Sequence, residues 1–116
     1  MEKFDLARVI LFAKDVPATA EFYHRLFCLQ YIGDPQDPDF IELDARGCRI
    51  AFHRGTPPTG HGRKTKVAFR AKDVANVREE FKKQGVKVGK LHEGTGFIFF
   101  DGHDPAGNIF QVSSRP

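Results

Sequence analysis

His53 is the histidine whose sequence context best suits chemistry. It ends the run Cys48-Arg49-Ile50-Ala51-Phe52-His53. Successive side chains of a strand point to opposite faces. Cys48, Ile50 and Phe52 therefore form a core face, and Arg49, Ala51 and His53 form the opposite one. An imidazole on that open face is a candidate general acid or base. The other histidines are expected at the surface: His24 on a helix, His61 and His92 in loops, His103 just before an Asp-Pro turn. A metal site built from His53, His103 and Glu42 is conceivable, but no spacing requires it.

Cys28 and Cys48 show no CxxC or other metal-binding spacing. With no export signal in view they are expected as buried, reduced thiols rather than a disulfide. Neither has the surroundings of an activated nucleophile.

The cationic residues follow the same alternation. In the run from Arg8 to Ala13, Val9, Leu11 and Ala13 fall on the core face, leaving Arg8, Ile10 and Phe12 on the other. In a second, similar run Lys66, Ala68 and Arg70 take the open side. Near the end of the chain Ile109 and Gln111 do so too. Phe40 and Glu42 are possible additions, and the run Phe97-Ile98-Phe99-Phe100 must put rings on both faces. Apolar walls carrying a few cations and hydrogen-bonding groups describe a small-molecule site. Arg8, Lys66 and Arg70 suit a carboxylate, phosphate or phenolate. They equally suit the plainer role of long side chains with solvated heads at a strand end, and Gln111 could simply satisfy neighbouring backbone.

Composition limits the alternatives. The chain has 116 residues, 41% of them apolar and 28% charged, with a net charge of +3. That fits one ordinary globular domain. The basic residues are dispersed, and the densest stretch is Arg63-Lys64-Thr65-Lys66. No helix-turn-helix, zinc-finger or aromatic-basic RNA motif is present, so no nucleic-acid partner is expected. The charged opening Met1–Asp5 is unlike a signal peptide, and no apolar run is long enough to cross a bilayer. A cytoplasmic location and no membrane partner are expected.

The elements that must position these residues repeat. Shifted by 58 positions, Val9-Ile10-Leu11-Phe12-Ala13-Lys14-Asp15-Val16 falls on Val67-Ala68-Phe69-Arg70-Ala71-Lys72-Asp73-Val74, with Ala-Lys-Asp-Val identical. Glu21 likewise falls on Glu79. In each copy an apolar strand reaches an Asp able to cap a helix. Pro17 is tolerated in the first turn of the first helix. Ala20, Tyr23, Leu26 and Phe27 share a face of that helix; Val74, Val77 and Phe81 recur on the second, which Gly85 ends. Three further strands are expected after each helix: residues 29–32, 40–44 and 48–53, then 86–90, 96–101 and 108–113. Ala45-Arg46-Gly47 and Asp104-Pro105-Ala106-Gly107 read as hairpin turns. The pattern is βαβββ twice. It makes one domain, with module one at 1–57, a linker at 58–64 and module two at 65–116.

This order of motifs resembles the vicinal-oxygen-chelate superfamily, which includes glyoxalase I, extradiol dioxygenases, and fosfomycin- and bleomycin-resistance proteins. The resemblance spans essentially the whole chain. It is carried by residues 9–15 with Phe22-Tyr23, by the second copy at 67–73, and by the closing Asp104-Pro105-Ala106-Gly107-Asn108. It implies an α+β fold in which tandem βαβββ modules form two curled mixed sheets around a groove, with helices outside. It also implies a homodimer and, in the metal-dependent members, a divalent ion held by His and Glu from the first and last strand of each module. Those positions here fall on Arg8, Lys66, Ala51 and Gln111. Cations and a methyl group are not metal ligands, so neither a metal nor another cofactor is expected.

The resemblance and the residues together suggest a small-molecule-binding protein of the bleomycin-resistance kind, favouring an anionic or aromatic ligand. Arg8, Phe12, Arg49, Ala51, His53, Lys66, Arg70 and Gln111 would line its site. The alternative is a lyase, isomerase or dioxygenase with an altered metal site or with His53 as acid–base group. A ligand-free interaction module is a third possibility.

Overall fold

A computed structural model describes residues 1–3, 5–57 and 65–116. The expected linker at 58–64, including His61, lies outside the described residues. The chain forms two compact units, Met1–Thr59 and Gly60–Pro116.

In the first unit, β1 (Arg8–Ala13) leads into α1 (Val16–Phe27), followed by β2 (Gln30–Ile32), β3 (Phe40–Asp44) and β4 (Arg49–Arg54). The sheet order is β1-β4-β3-β2, with β1 parallel to β4 and the other pairs antiparallel. In the second unit, β5 (Lys66–Arg70) and α2 (Val74–Lys83) precede β6 (His92–Gly94), β7 (Phe97–His103) and β8 (Ile109–Ser113). The order β5-β8-β7-β6 repeats the first topology, and β5 is parallel to β8. The fold is thus α+β, with two βαβββ modules and two mixed four-stranded sheets.

The duplicated Asp works as a helix cap in both units. Asp15 Oδ1 accepts from Ala18 N at 3.1 Å, and Asp73 Oδ1 from Asn76 N at 3.2 Å. Each bond satisfies an amide that has no partner within its helix. Helix α2 ends as Gly85 predicts. With φ at 81°, Gly85 donates to Lys82 O, and Val86 N donates to Phe81 O. These paired bonds close the last turn, with buried Val86 and Phe81 as its hydrophobic seal.

One face of each sheet is packed against its helix. Tyr23 is fully buried and stacks on Phe52 at 5.2 Å. In the second unit Phe81 meets Phe100 and Phe110 edge-on at 6.1 and 6.0 Å. Such aromatic pairs add to the gain from apolar burial.

The structure corrects three expectations. Residues 86–90 are not a strand: Val88 makes one isolated bridge to Gly102, and Gly89 N donates to Asp101 O at 2.7 Å. Val86 belongs to the helix end and Gly89-Lys90 interrupts the run, so the edge strand is β6. His92, expected in a loop, lies in it. The cysteines are free but not buried: Cys28 is exposed and Cys48 half-buried. Cys28 caps α1 in the left-handed region at φ 55°, which places its side chain outside the core.

Candidate functional site

The registers define the face of each sheet that turns away from its helix. In the first unit, Phe12, His53 and Phe40 form one row across β1, β4 and β3. Ile10, Ala51 and Glu42 form the next, and Arg8, Arg49 and Asp44 the third. In the second unit, Lys66, Ile109 and His103 share a row, Ala68, Gln111 and Asp101 the next, and Arg70, Ser113 and Phe99 the third. Every residue expected on an open face therefore lies on that face of its own sheet, including Phe40 and Glu42. Ala51 nonetheless has no exposed surface, whereas Ile10 and Phe12 are 46% and 42% exposed.

The middle rows correspond between the units. Ala51 lies between Ile10 and Glu42 as Gln111 lies between Ala68 and Asp101. Glu42 and Asp101 are thus equivalent. Each is bound by the basic residue of its own unit's first strand. Arg8 Nε donates to Glu42 Oε1, and Arg49 Nη1 to Glu42 Oε2 at 3.0 Å. Lys66 Nζ donates to Asp101 Oδ2 at 2.6 Å, and Gln111 Nε2 to Asp101 Oδ1 at 3.2 Å. Burial alone would raise the Glu42 pKa, but the hydrogen bonds and charges of Arg8 and Arg49 outweigh it and hold the carboxyl below its ordinary range. These pairs join residues 34 and 35 positions apart, a distance that no local motif signals.

This donor set does not suit a divalent cation. Arg8, Lys66, Ala51 and Gln111 supply neither carboxylate nor imidazole, and the nearby Glu42 and Asp101 carboxylates are already held by cations. Within either unit, no three His, Cys, Asp or Glu side chains among the described residues gather as metal ligands do. Of the three residues considered for a relocated site, Glu42 is engaged by its two arginines.

His53 is exposed between two aromatic neighbours, Phe12 at 5.4 Å and Phe40 at 6.1 Å. Its Nδ1 lies 2.8 Å from Arg54 O. A carbonyl can only accept, so Nδ1 is the donor in this contact, which leaves the lone pair on Nε2 whenever the ring is neutral. Of the other histidines, His24 contacts Leu29 O through Nδ1 at 2.7 Å, and His92 stacks on Phe99 at 5.0 Å. His103 is exposed at the end of β7, opposite Ile109.

The second unit also contains a cleft of about 290 Å³, lined in part by Ala68, Arg70, Gln111, Ser113 and Arg115. Arg115 is not among the residues expected at the site. Its signal lies in the sequence all the same, because Gln111, Ser113 and Arg115 continue the alternation of β8 two residues beyond the strand. The guanidinium of Arg115 lies 4.0 Å from the centre of the Phe97 ring. The closing turn holds β8 in position: Asp104 Oδ1 accepts from Ala106 N and Asn108 N, both at 2.9 Å, and Gly107 takes φ 90°.

The sequence model of the Glyoxalase/Bleomycin resistance protein/Dioxygenase superfamily matches residues 5–112, and the chain belongs to that superfamily. Among solved structures, the chain is similar to a lactoylglutathione lyase from Agrobacterium tumefaciens. The identity is 17%, with 97% of this chain and 95% of that one covered, at a TM-score of 0.77. A possible glyoxalase from Bacillus cereus is 20% identical over 95% of this chain and 98% of its own, also at 0.77. The fosfomycin resistance protein FosX from Mesorhizobium loti is 11% identical over 100% and 95%, again at 0.77. At these identities the likeness is one of fold. No curated protein sequence matches the chain.

Proposed function

We propose that this protein binds a small organic ligand without a resident metal ion, in the manner of the bleomycin-resistance branch of its superfamily. The observation that carries this reading is the neutralisation of Glu42 and Asp101 by Arg8, Arg49 and Lys66. A cation of the protein itself stands beside each of these carboxylates, which removes the negative charge that would attract a metal. The remaining open-face residues, among them Phe12, Ile10, His53, Arg70 and Gln111, combine apolar surface with donors and cations. That mixture favours an anionic or aromatic ligand.

Elemental analysis of protein purified without chelator tests the proposal. Zinc, nickel, manganese and iron are expected far below one equivalent, and a near-stoichiometric amount of any of them would refute it. In this reading the protein is a cytoplasmic homodimer of single-domain chains. A monomer in sedimentation at micromolar concentration would overturn the dimer.

A second reading, acid–base catalysis by His53, is supported by its free Nε2 between two aromatic rings. It would make the protein a lyase or isomerase.

A further inference from the structure

Two guanidinium groups line the cleft of the second unit, and neither has an anionic partner among the described residues. The Arg70 side chain makes no hydrogen bond or ion pair with any described residue, and the Arg115 guanidinium has only its contact with the Phe97 ring. Asp101, in the adjoining row of the sheet, is already held by Lys66 and Gln111. Like charges lining one cleft repel each other, so an anion entering it gains from both.

The cleft is also prepared for such a guest. Arg115 follows a residue tied to β7: Ser114 N donates to Ile98 O at 3.0 Å, and Ile98 N donates to Ser114 Oγ at 3.0 Å. Arg115 N donates in turn to Ser113 Oγ at 3.0 Å. The Phe97 ring under its guanidinium stacks on Phe99, which stacks on His92. The cation therefore rests on an aromatic column. Arg70 projects from the neighbouring position on β5, directly opposite Ser113 on β8.

We infer that this cleft is an oxyanion subsite, in which Arg70 and Arg115 grip the carboxylate or phosphoryl end of the ligand. Arginine suits that role because its planar array of N–H donors matches two oxygens at once. A volume of about 290 Å³ lies just below the range of whole-ligand pockets, roughly 300–1,000 Å³. The cleft takes one end of a molecule, and the rest extends over the adjoining face. This inference rests on the small-molecule reading above and assigns the charge of the ligand within it.

Nuclear magnetic resonance of the ¹⁵N-labelled full chain, titrated separately with acetate and inorganic phosphate at millimolar concentrations, tests it. At least one anion should shift the signals of Arg70, Gln111, Ser113 and Arg115 in a saturable way, and added chloride should weaken the effect. The arm that saturates first identifies the oxyanion. Arg70→Ala and Arg115→Ala should each weaken binding about tenfold, the loss of one charge-assisted contact. Lys82→Ala, which removes an equal charge from the exposed end of α2, should leave it unchanged. Equal weakening by Lys82→Ala, or no saturable shift with either anion, would overturn the subsite. A fragment screen separates the two levels. Organic ligands whose binding ignores Arg70→Ala would sink the subsite and leave the binding function standing. Anion binding with no organic ligand found would do the reverse.

Discussion

Glu42 and Asp101 occupy the same place in two topologically identical sheets, and each carboxylate is gripped by the first-strand base of its own unit. The duplication thus extends to an ion pair whose members have changed identity, Arg with Glu in one copy and Lys with Asp in the other.

The first prediction concerns pH. Glu42 has a depressed pKa when folded, so its contribution to stability is complete above the ordinary glutamate value near 4.5 and is lost as pH falls through the lower folded value. Arg8→Ala should raise the Glu42 pKa, and the pair Arg8→Ala with Arg49→Ala should raise it further. Carboxyl chemical shifts of Glu42 followed against pH would show this. An unmoved titration in the double variant would contradict the assigned cause.

Gly102→Ala should destabilise the protein by about 1–3 kcal/mol through overpacking. A Cβ there would lie 2.3 Å from Phe110 Cζ and 3.0 Å from Lys87 O. Phe110 is fully buried and cannot swing aside freely. Urea denaturation with an unchanged midpoint would show that the close approach of residues 87–89 to β7 is not required.

The two caps make a matched pair. Asp15→Ala and Asp73→Ala should each cost ~1 kcal/mol, whereas Asp15→Asn and Asp73→Asn should retain most of the stability because Asn also accepts the amide bond. Thermal melts of the four variants provide the check. Asn variants as unstable as the Ala variants would point to charge rather than capping.

For His53, nitrogen shifts of the neutral ring should show the proton on Nδ1, donated to Arg54 O. The opposite tautomer would remove the free Nε2 on which the acid–base reading depends. If a ligand is found, normal binding by His53→Ala would exclude His53 from its site.

The repeated Ala-Lys-Asp-Val makes β1, α1, β5 and α2 legible in the amino-acid sequence, because a capped helix after an apolar strand is a local pattern. Strand parity, with its period of two, puts Arg8, His53 and Gln111 on the correct faces of their sheets. Two things require the three-dimensional register. The edge strand of the second unit is misplaced by sequence reasoning because Val86 and Val88 look like strand residues, while a helix end claims the first and Gly89 interrupts the run. The Arg8–Glu42 and Lys66–Asp101 pairs escape it because each joins the first strand of a unit to its third by a diagonal across the intervening strand. Whether the side chains meet depends on the hairpin geometry between β3 and β4, or between β7 and β8. Arg46 supplies the left-handed residue of the first hairpin, at φ 73°, and Gly107 that of the second. Residues so unlike leave no mark of that shared role in the repeat.

The two helices differ in how much of themselves they bury. Six of the twelve residues of α1 are buried, against two of the ten of α2. The halves of this duplicated chain therefore carry unequal mutational loads. The first module has many side chains that tolerate little change, whereas most of the second helix can accept substitutions at small thermodynamic cost. Under random mutagenesis, surviving variants should accumulate on α2, leaving the second copy the freer of the two to acquire new surface chemistry.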